Sequence, residues 1–196
     1  MVSLTQRERE TLLILFKDFT TFYNANFISK ILGISHVGAQ KIFKRLYNNN
    51  ILTSKKIAKS IVYKLKLDDD YVNKFISFLL VDEANKFKRW KEEFKDLFKK
   101  GRIILMFGSV IKNYDKARDI DIMIVIDKKD IKEINKILKE KEKILPKKIH
   151  AIKLTHNDLL ENIKNKDKAI IDIVKNAIVI YGEDKYVEII KNVASL

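Results

Sequence analysis

The segment Ile103 to Ile126 constrains the fold of this chain more than any other. Two short apolar runs, Ile103 to Phe107 and Ile120 to Ile126, read as strands, with Gly108-Ser109 closing the first and Asp119-Ile120-Asp121 opening the second. Alternate residues of a strand share a face, so Asp119 and Asp121 project together while Ile120, Ile122, Ile124 and Ile126 point into a core. Adjacent carboxylates repel unless something neutralises them, and Mg²⁺ (or Mn²⁺) held by one or two carboxylates plus triphosphate oxygens does so. Gly108 lets backbone approach a phosphate. Ser109 offers a hydroxyl and an N–H to phosphate oxygens, most effectively where a helix begins. The competing reading is a tight turn followed by two solvated acids at a strand end.

The rest of the chain sorts into helices and strands of a mixed α+β protein. A capping box at Thr5 and Glu8 starts a first helix with the apolar run Leu12, Leu13, Leu15, Phe16 and Phe19. Phe27, Ile28, Ile31 and Leu32 form a second stripe ended by Gly33. Ser35 caps a third helix that buries Ala39, Ile42, Phe43 and Leu46. Asn50 takes the left-handed position after it, and Ile51 to Ile57 and Ile61 to Leu67 read as two strands around a Lys59-Ser60 turn. Between Asp70 and Lys100 there is no Gly or Pro, and apolar residues from Val72 to Phe98 recur at helical intervals. Beyond Gly101 a further strand is expected at Ile149 to Leu154, with helices near 128–142, 156–164, 167–176 and 184–193. Thr155 and Asp158 make a second capping box. The expected organisation is therefore 1–67, a helical connector 68–100, and 101–196.

Charge separates these parts. Residues 1–66 carry 12 Lys/Arg against 3 Asp/Glu, residues 67–100 carry 8 against 8, and residues 101–196 carry 20 against 15. Basic charge gathered at the front suits a polyphosphate partner, because phosphate neutralisation releases condensed counterions. The absence of cysteine excludes disulfides and thiolate metal sites, and His36, His150 and His156 show no metal-ligand spacing. Arg7, Glu8, Arg9 and Glu10 precede any long apolar run, and no stretch approaches 18 uninterrupted apolar residues, so a cytoplasmic protein without a membrane partner is expected.

Two resemblances sharpen these readings. Phe27 to Leu67, through Ile31-Leu32-Gly33-Ile34-Ser35 and Ile42-Phe43-Lys44-Arg45-Leu46, resembles the winged helix-turn-helix domains of MarR-like regulators. That resemblance implies a helix in the major groove of duplex DNA and a hairpin wing along the backbone. Ser35, His36, Gln40, Lys41 and Lys44 lie opposite the core stripe of the third helix, and Lys55, Lys56 and Lys59 lie on the wing. Gln40 is suited to a base edge and the lysines to phosphates.

The pattern Gly108-Ser109…Asp119-Ile120-Asp121 resembles the minimal nucleotidyltransferases of the DNA polymerase β-like superfamily. The resemblance implies a short mixed sheet flanked by helices and a nucleoside triphosphate held between the Gly108-Ser109 turn and the Asp119/Asp121 strand. It also implies metal on those aspartates, with Lys112, Lys116 and Arg118 adding charge near the phosphates. Members that catalyse transfer carry a third carboxylate on a later strand. Here that strand reads Lys147-Lys148-Ile149-His150-Ala151-Ile152-Lys153-Leu154 and contains no acid. His150 is read as a structural or exposed residue and Asp158 as a helix cap.

Three functions follow. One is a Mg²⁺-dependent transferase acting on a protein or nucleic-acid hydroxyl. Another is a regulator whose rear domain is a nucleotide sensor or dimerisation unit. The third is an antitoxin for a small helical toxin.

Overall fold

The structure is a computed structural model, and it describes residues 3–194. The chain divides into two compact units, Met1–Leu79 and Leu80–Leu196. The stretch 68–100 belongs partly to each.

The first unit begins with α1 (Gln6–Lys17), whose N-cap Thr5 accepts from the Glu8 N–H while the Glu8 carboxylate accepts from the Thr5 N–H. Glu8 is nearly fully buried and pairs with Arg45 at 3.3 Å, so the cap also anchors α1 to α3 (His36–Asn48). Between them, α2 (Ala25–Leu32) stops at Gly33, which adopts φ 62, a left-handed cap that glycine takes most cheaply. Asn50 is also left-handed, at φ 58. The hairpin pairs β1 (Leu52–Ile57) with β2 (Ser60–Leu65) in antiparallel register, Lys55 opposite Val62 and Lys56 opposite Ile61.

Three expectations for this unit change. Phe27 and Ile31 are half exposed, because α2 turns Ile28 fully inward and Leu32 only partly. Phe19 lies in the turn after α1. Ser60 belongs to β2, and the tight turn centres on Ala58-Lys59, with Ala58 at φ 52.

From Asp70 to Ala84 runs α4, followed by a 3₁₀ turn at Asn85–Phe87, the short α5 (Lys88–Glu93) and another 3₁₀ turn at Lys95–Leu97. The helical spacing of this stretch is thus carried by several broken pieces.

The second unit is built on a four-stranded mixed sheet of order β5-β4-β3-β6. Its strands are β3 (Ile103–Phe107), β4 (Asp119–Val125), β5 (Lys148–Leu154) and β6 (Ile178–Tyr181). β3 is antiparallel to β4 and β6, whereas β4 and β5 are parallel and joined through α6 (Ile131–Glu142). The helices α7 (His156–Lys164), α8 (Lys168–Asn176) and α9 (Glu183–Ala194) complete the unit. β6 is a strand that the sequence does not announce. Its four residues, Ile-Val-Ile-Tyr, are too short to show a period.

Ile120, Ile122, Ile124 and Ile126 are buried with Ile104, Met106, Trp90, Phe94, Leu97, Ile134 and Leu138. Each such side chain contributes about 1.5–3 kcal/mol. Together they fix the face of β4, and Asp119 and Asp121 must emerge on the other.

At the start of β3, Arg102 is 2% exposed and donates to Glu133 at 2.7 Å and to the Leu97 carbonyl at 3.2 Å, with Asp130 at 3.5 Å. This buried cation ties β3 to α6 and to the Lys95–Leu97 turn. No helix among the described residues is long and apolar enough to cross a membrane.

Candidate nucleotide site

The apolar-in pattern of β4 places Asp119 and Asp121 side by side on one face, both half-buried. Their surroundings follow from strand register. Asp121 faces Phe107 of β3 on one side and His150 of β5 on the other, while Asp119 faces Lys148. β3 ends at Phe107, so beyond it β4 packs against the 3₁₀ turn Ser109–Ile111.

Gly108 makes that turn possible. Its φ of 76 and ψ of −156 lie in a region that side-chain-bearing residues rarely adopt, and an added Cβ would collide with Asp121 Oδ2. The second oxygen, Oδ1, lies 3.2 Å from His150 Nδ1. One oxygen of Asp121 is therefore set against backbone and the other against an imidazole.

Ser109 is exposed, and its carbonyl accepts from the N–H groups of Lys112 and Asn113. The loop back to β4 is tied down by Lys116 N–H to Asn113 Oδ1 and by Ala117 N–H to the carbonyls of Asn113 and Tyr114. Tyr114 carries two cations over its ring, Arg89 at 4.1 Å and Lys147 at 4.8 Å, and Lys147 also donates to the Ala117 carbonyl. Lys112, Lys116 and Arg118 are exposed on this loop.

These residues suit one hard cation arriving with a polyphosphate. Two carboxylates share a face, one of them has Oδ1 beside the His150 imidazole and Oδ2 close to Gly108, and the cradle at Gly108 has no room for a side chain. Among the described residues, no group of three or more His, Cys, Asp or Glu is arranged to hold a metal ion unaided. Asp158 caps α7, accepting from the Thr155 N–H at 2.9 Å, and its hydrogen bonds with Thr155 hold its carboxyl below the usual range.

His150 is 67% exposed, as the sequence suggests, but it is also the strand neighbour of Asp121, which no local pattern reveals. Arg89, Tyr114 and Lys147 are likewise additions of the structure. They meet only through the tertiary fold.

In the first unit, α3 buries Ala39, Phe43 and Leu46 and leaves His36, Gln40, Lys41 and Lys44 in solvent. The Ser35 hydroxyl accepts from the Gly38 N–H at 3.0 Å, so it already serves the helix. Lys55, Lys56 and Lys59 are exposed on the wing.

No curated protein matches this sequence significantly. Among solved structures, the chain is similar to a cysteine-to-serine mutant of Lactococcus lactis ZitR in complex with DNA, at 18% identity over 49% of this chain and 66% of that one. The TM-score is 0.37. Residues 87–180, a little under half of the chain and the stretch that holds Gly108, Ser109, Asp119 and Asp121, match the family model of the nucleotidyltransferase domain.

Proposed function

We propose that the protein is a Mg²⁺-dependent nucleotidyltransferase, moving a nucleoside monophosphate from a nucleoside triphosphate to a hydroxyl of a protein or nucleic acid, and that its basic front unit, residues 1–67, holds duplex DNA. The observation that carries the proposal is the juxtaposition of the Asp119/Asp121 face with the Gly108-Ser109 turn. The match of residues 87–180 to the nucleotidyltransferase domain supports it.

A divalent cation bound with the triphosphate neutralises its charge and favours in-line displacement at the α-phosphorus. Asp119 and Asp121 are the carboxylates that would hold it. Ser109 offers its hydroxyl and N–H to phosphate oxygens, Gly108 allows the close approach, and Lys112 and Arg118 add positive charge. The acceptor oxygen attacks the α-phosphorus, the bond to the bridging oxygen breaks, pyrophosphate leaves, and the hydroxyl proton passes to solvent. The front unit contributes Gln40 to base edges and Lys41, Lys44, Lys55, Lys56 and Lys59 to phosphates.

One observation favours a second reading. The β5 positions facing the aspartates hold Lys148 and His150, with no carboxylate. On that reading the site binds nucleotide without turning it over, and the rear unit acts as a sensor, a dimerisation unit or the antitoxin partner of a small protein.

Incubation with each α-labelled nucleoside triphosphate and Mg²⁺ or Mn²⁺, alone and with cell extract, separates the readings. Label transferred to a macromolecule, and lost with Asp119→Asn, supports the enzyme. Nucleotide retained without transfer supports the second reading.

A further inference from the structure

We infer that the site takes a single divalent cation, entering with the triphosphate, and that Lys148 and His150 set this limit. The inference rests on the nucleotide reading above.

Two cations acting on one phosphoryl transfer sit about 3.5–4 Å apart and clamp both the attacking and the leaving oxygen. Each needs anionic ligands of its own besides any they share. Here Asp119 and Asp121 are the acids of the β4 face, and the neighbouring strand positions hold no other. Phe107 lies across from Asp121 on β3. Gly108 closes against Asp121 Oδ2, and His150 Nδ1 lies 3.2 Å from Oδ1. Lys148 faces Asp119. β5 is an edge strand, so among the described residues no further strand of the sheet lies beyond it to supply an acid, and Asp158, the first acid after β5, is committed to the cap of α7.

A first cation held by Asp119 and Asp121 would complete its shell with triphosphate oxygens. A second doubly charged ion would have to settle on the β5 side of the pair, where Lys148 brings a positive charge and His150 brings no carboxylate to offset the added charge. That side disfavours it.

The experiment is a count. Equilibrium dialysis of the full chain with Mn²⁺ and α,β-methylene ATP, and in parallel α,β-methylene GTP, measures the Mn²⁺ retained per protein-bound nucleotide. The wild type is expected to retain one. His150→Asp places a carboxylate beside Asp121 at an exposed position and is expected to retain two. Lys148→Asp, beside Asp119, is the second variant, and circular dichroism confirms which variants are folded.

Two Mn²⁺ per nucleotide in the wild type overturns the inference while leaving the nucleotide reading intact. So does a count of one in the folded variants. If the wild type retains neither of these analogues nor their CTP and UTP counterparts, the nucleotide reading itself falls, and this inference with it.

Discussion

A Cβ placed on Gly108 would overlap Oδ2 of Asp121, so the turn after β3 and the second carboxylate of β4 share one space that admits no side chain. Gly108→Ala must therefore strain a left-handed backbone and displace the carboxylate at once. The expected cost is about 1–3 kcal/mol from backbone strain, with nucleotide binding lost in addition. Gly101→Ala is the control. Its φ is 90, but a Cβ there meets nothing within 4 Å, so it should lower stability while leaving nucleotide affinity unchanged. Denaturant unfolding and a nucleotide titration of the two variants distinguish strain from collision.

Replacing both strand carboxylates tests whether the pair serves a ligand. Mg²⁺ with a nucleoside triphosphate should raise wild-type stability by about 2.7 kcal/mol at a hundredfold excess over the dissociation constant. Asp119→Asn with Asp121→Asn should abolish that gain and leave the free protein no less stable, because a like-charge repulsion has been removed. A melting series decides it. Equal stabilisation of the double variant, or its poor folding without ligand, would mark the carboxylates as scaffold.

The features legible in the sequence are the ones set by local chemistry. Period-two alternation put Asp119 and Asp121 on one face, and the capping boxes at Thr5/Glu8 and Thr155/Asp158 form as their spacing implies. What depends on pairing between distant segments was not legible. His150 meets Asp121 only because β4 and β5 run parallel in one particular register, and Arg89 and Lys147 reach Tyr114 from segments on either side of it in the chain. Phe27 and Ile31 show the converse error. They share a helical stripe with Ile28 and Leu32, yet the helix buries a narrower face than its apolar residues span.

The acid limb of stability should depend on Glu133. Hydrogen bonds from Arg102 and Lys99 hold its carboxyl below its ordinary value of 4.5. A depressed folded-state value means the stabilisation is present above the unfolded value and is lost as pH falls through the folded one. Glu133→Gln should therefore flatten the decline of stability below about pH 4.5, even though it is less stable than the wild type at neutral pH, where Arg102 would keep Asp130 as its acidic neighbour. Thermal unfolding of both proteins between about pH 3 and 7 reads the difference. Parallel acid limbs would sink this assignment.

The front unit provides the last test, because its exposed cations and its helix cap predict different behaviour. Lys41 and Lys44 on α3, and Lys55 and Lys56 on the wing, all stand in solvent, while the Ser35 hydroxyl is engaged with the Gly38 N–H. Duplex binding by these lysines should weaken steeply with salt. Reversing one contacting lysine to glutamate should reduce the magnitude of the log–log salt slope by about 0.9 or more, with little change in melting temperature. Ser35→Ala should instead cost about 1 kcal/mol of stability through loss of the cap and leave the salt slope nearly unchanged. Fluorescence anisotropy on a random duplex across a salt series measures the first effect, and thermal unfolding the second. If charge reversal of all these lysines together leaves duplex binding at low salt as tight as in the wild type, the cations are a solvated face and the front unit has another role.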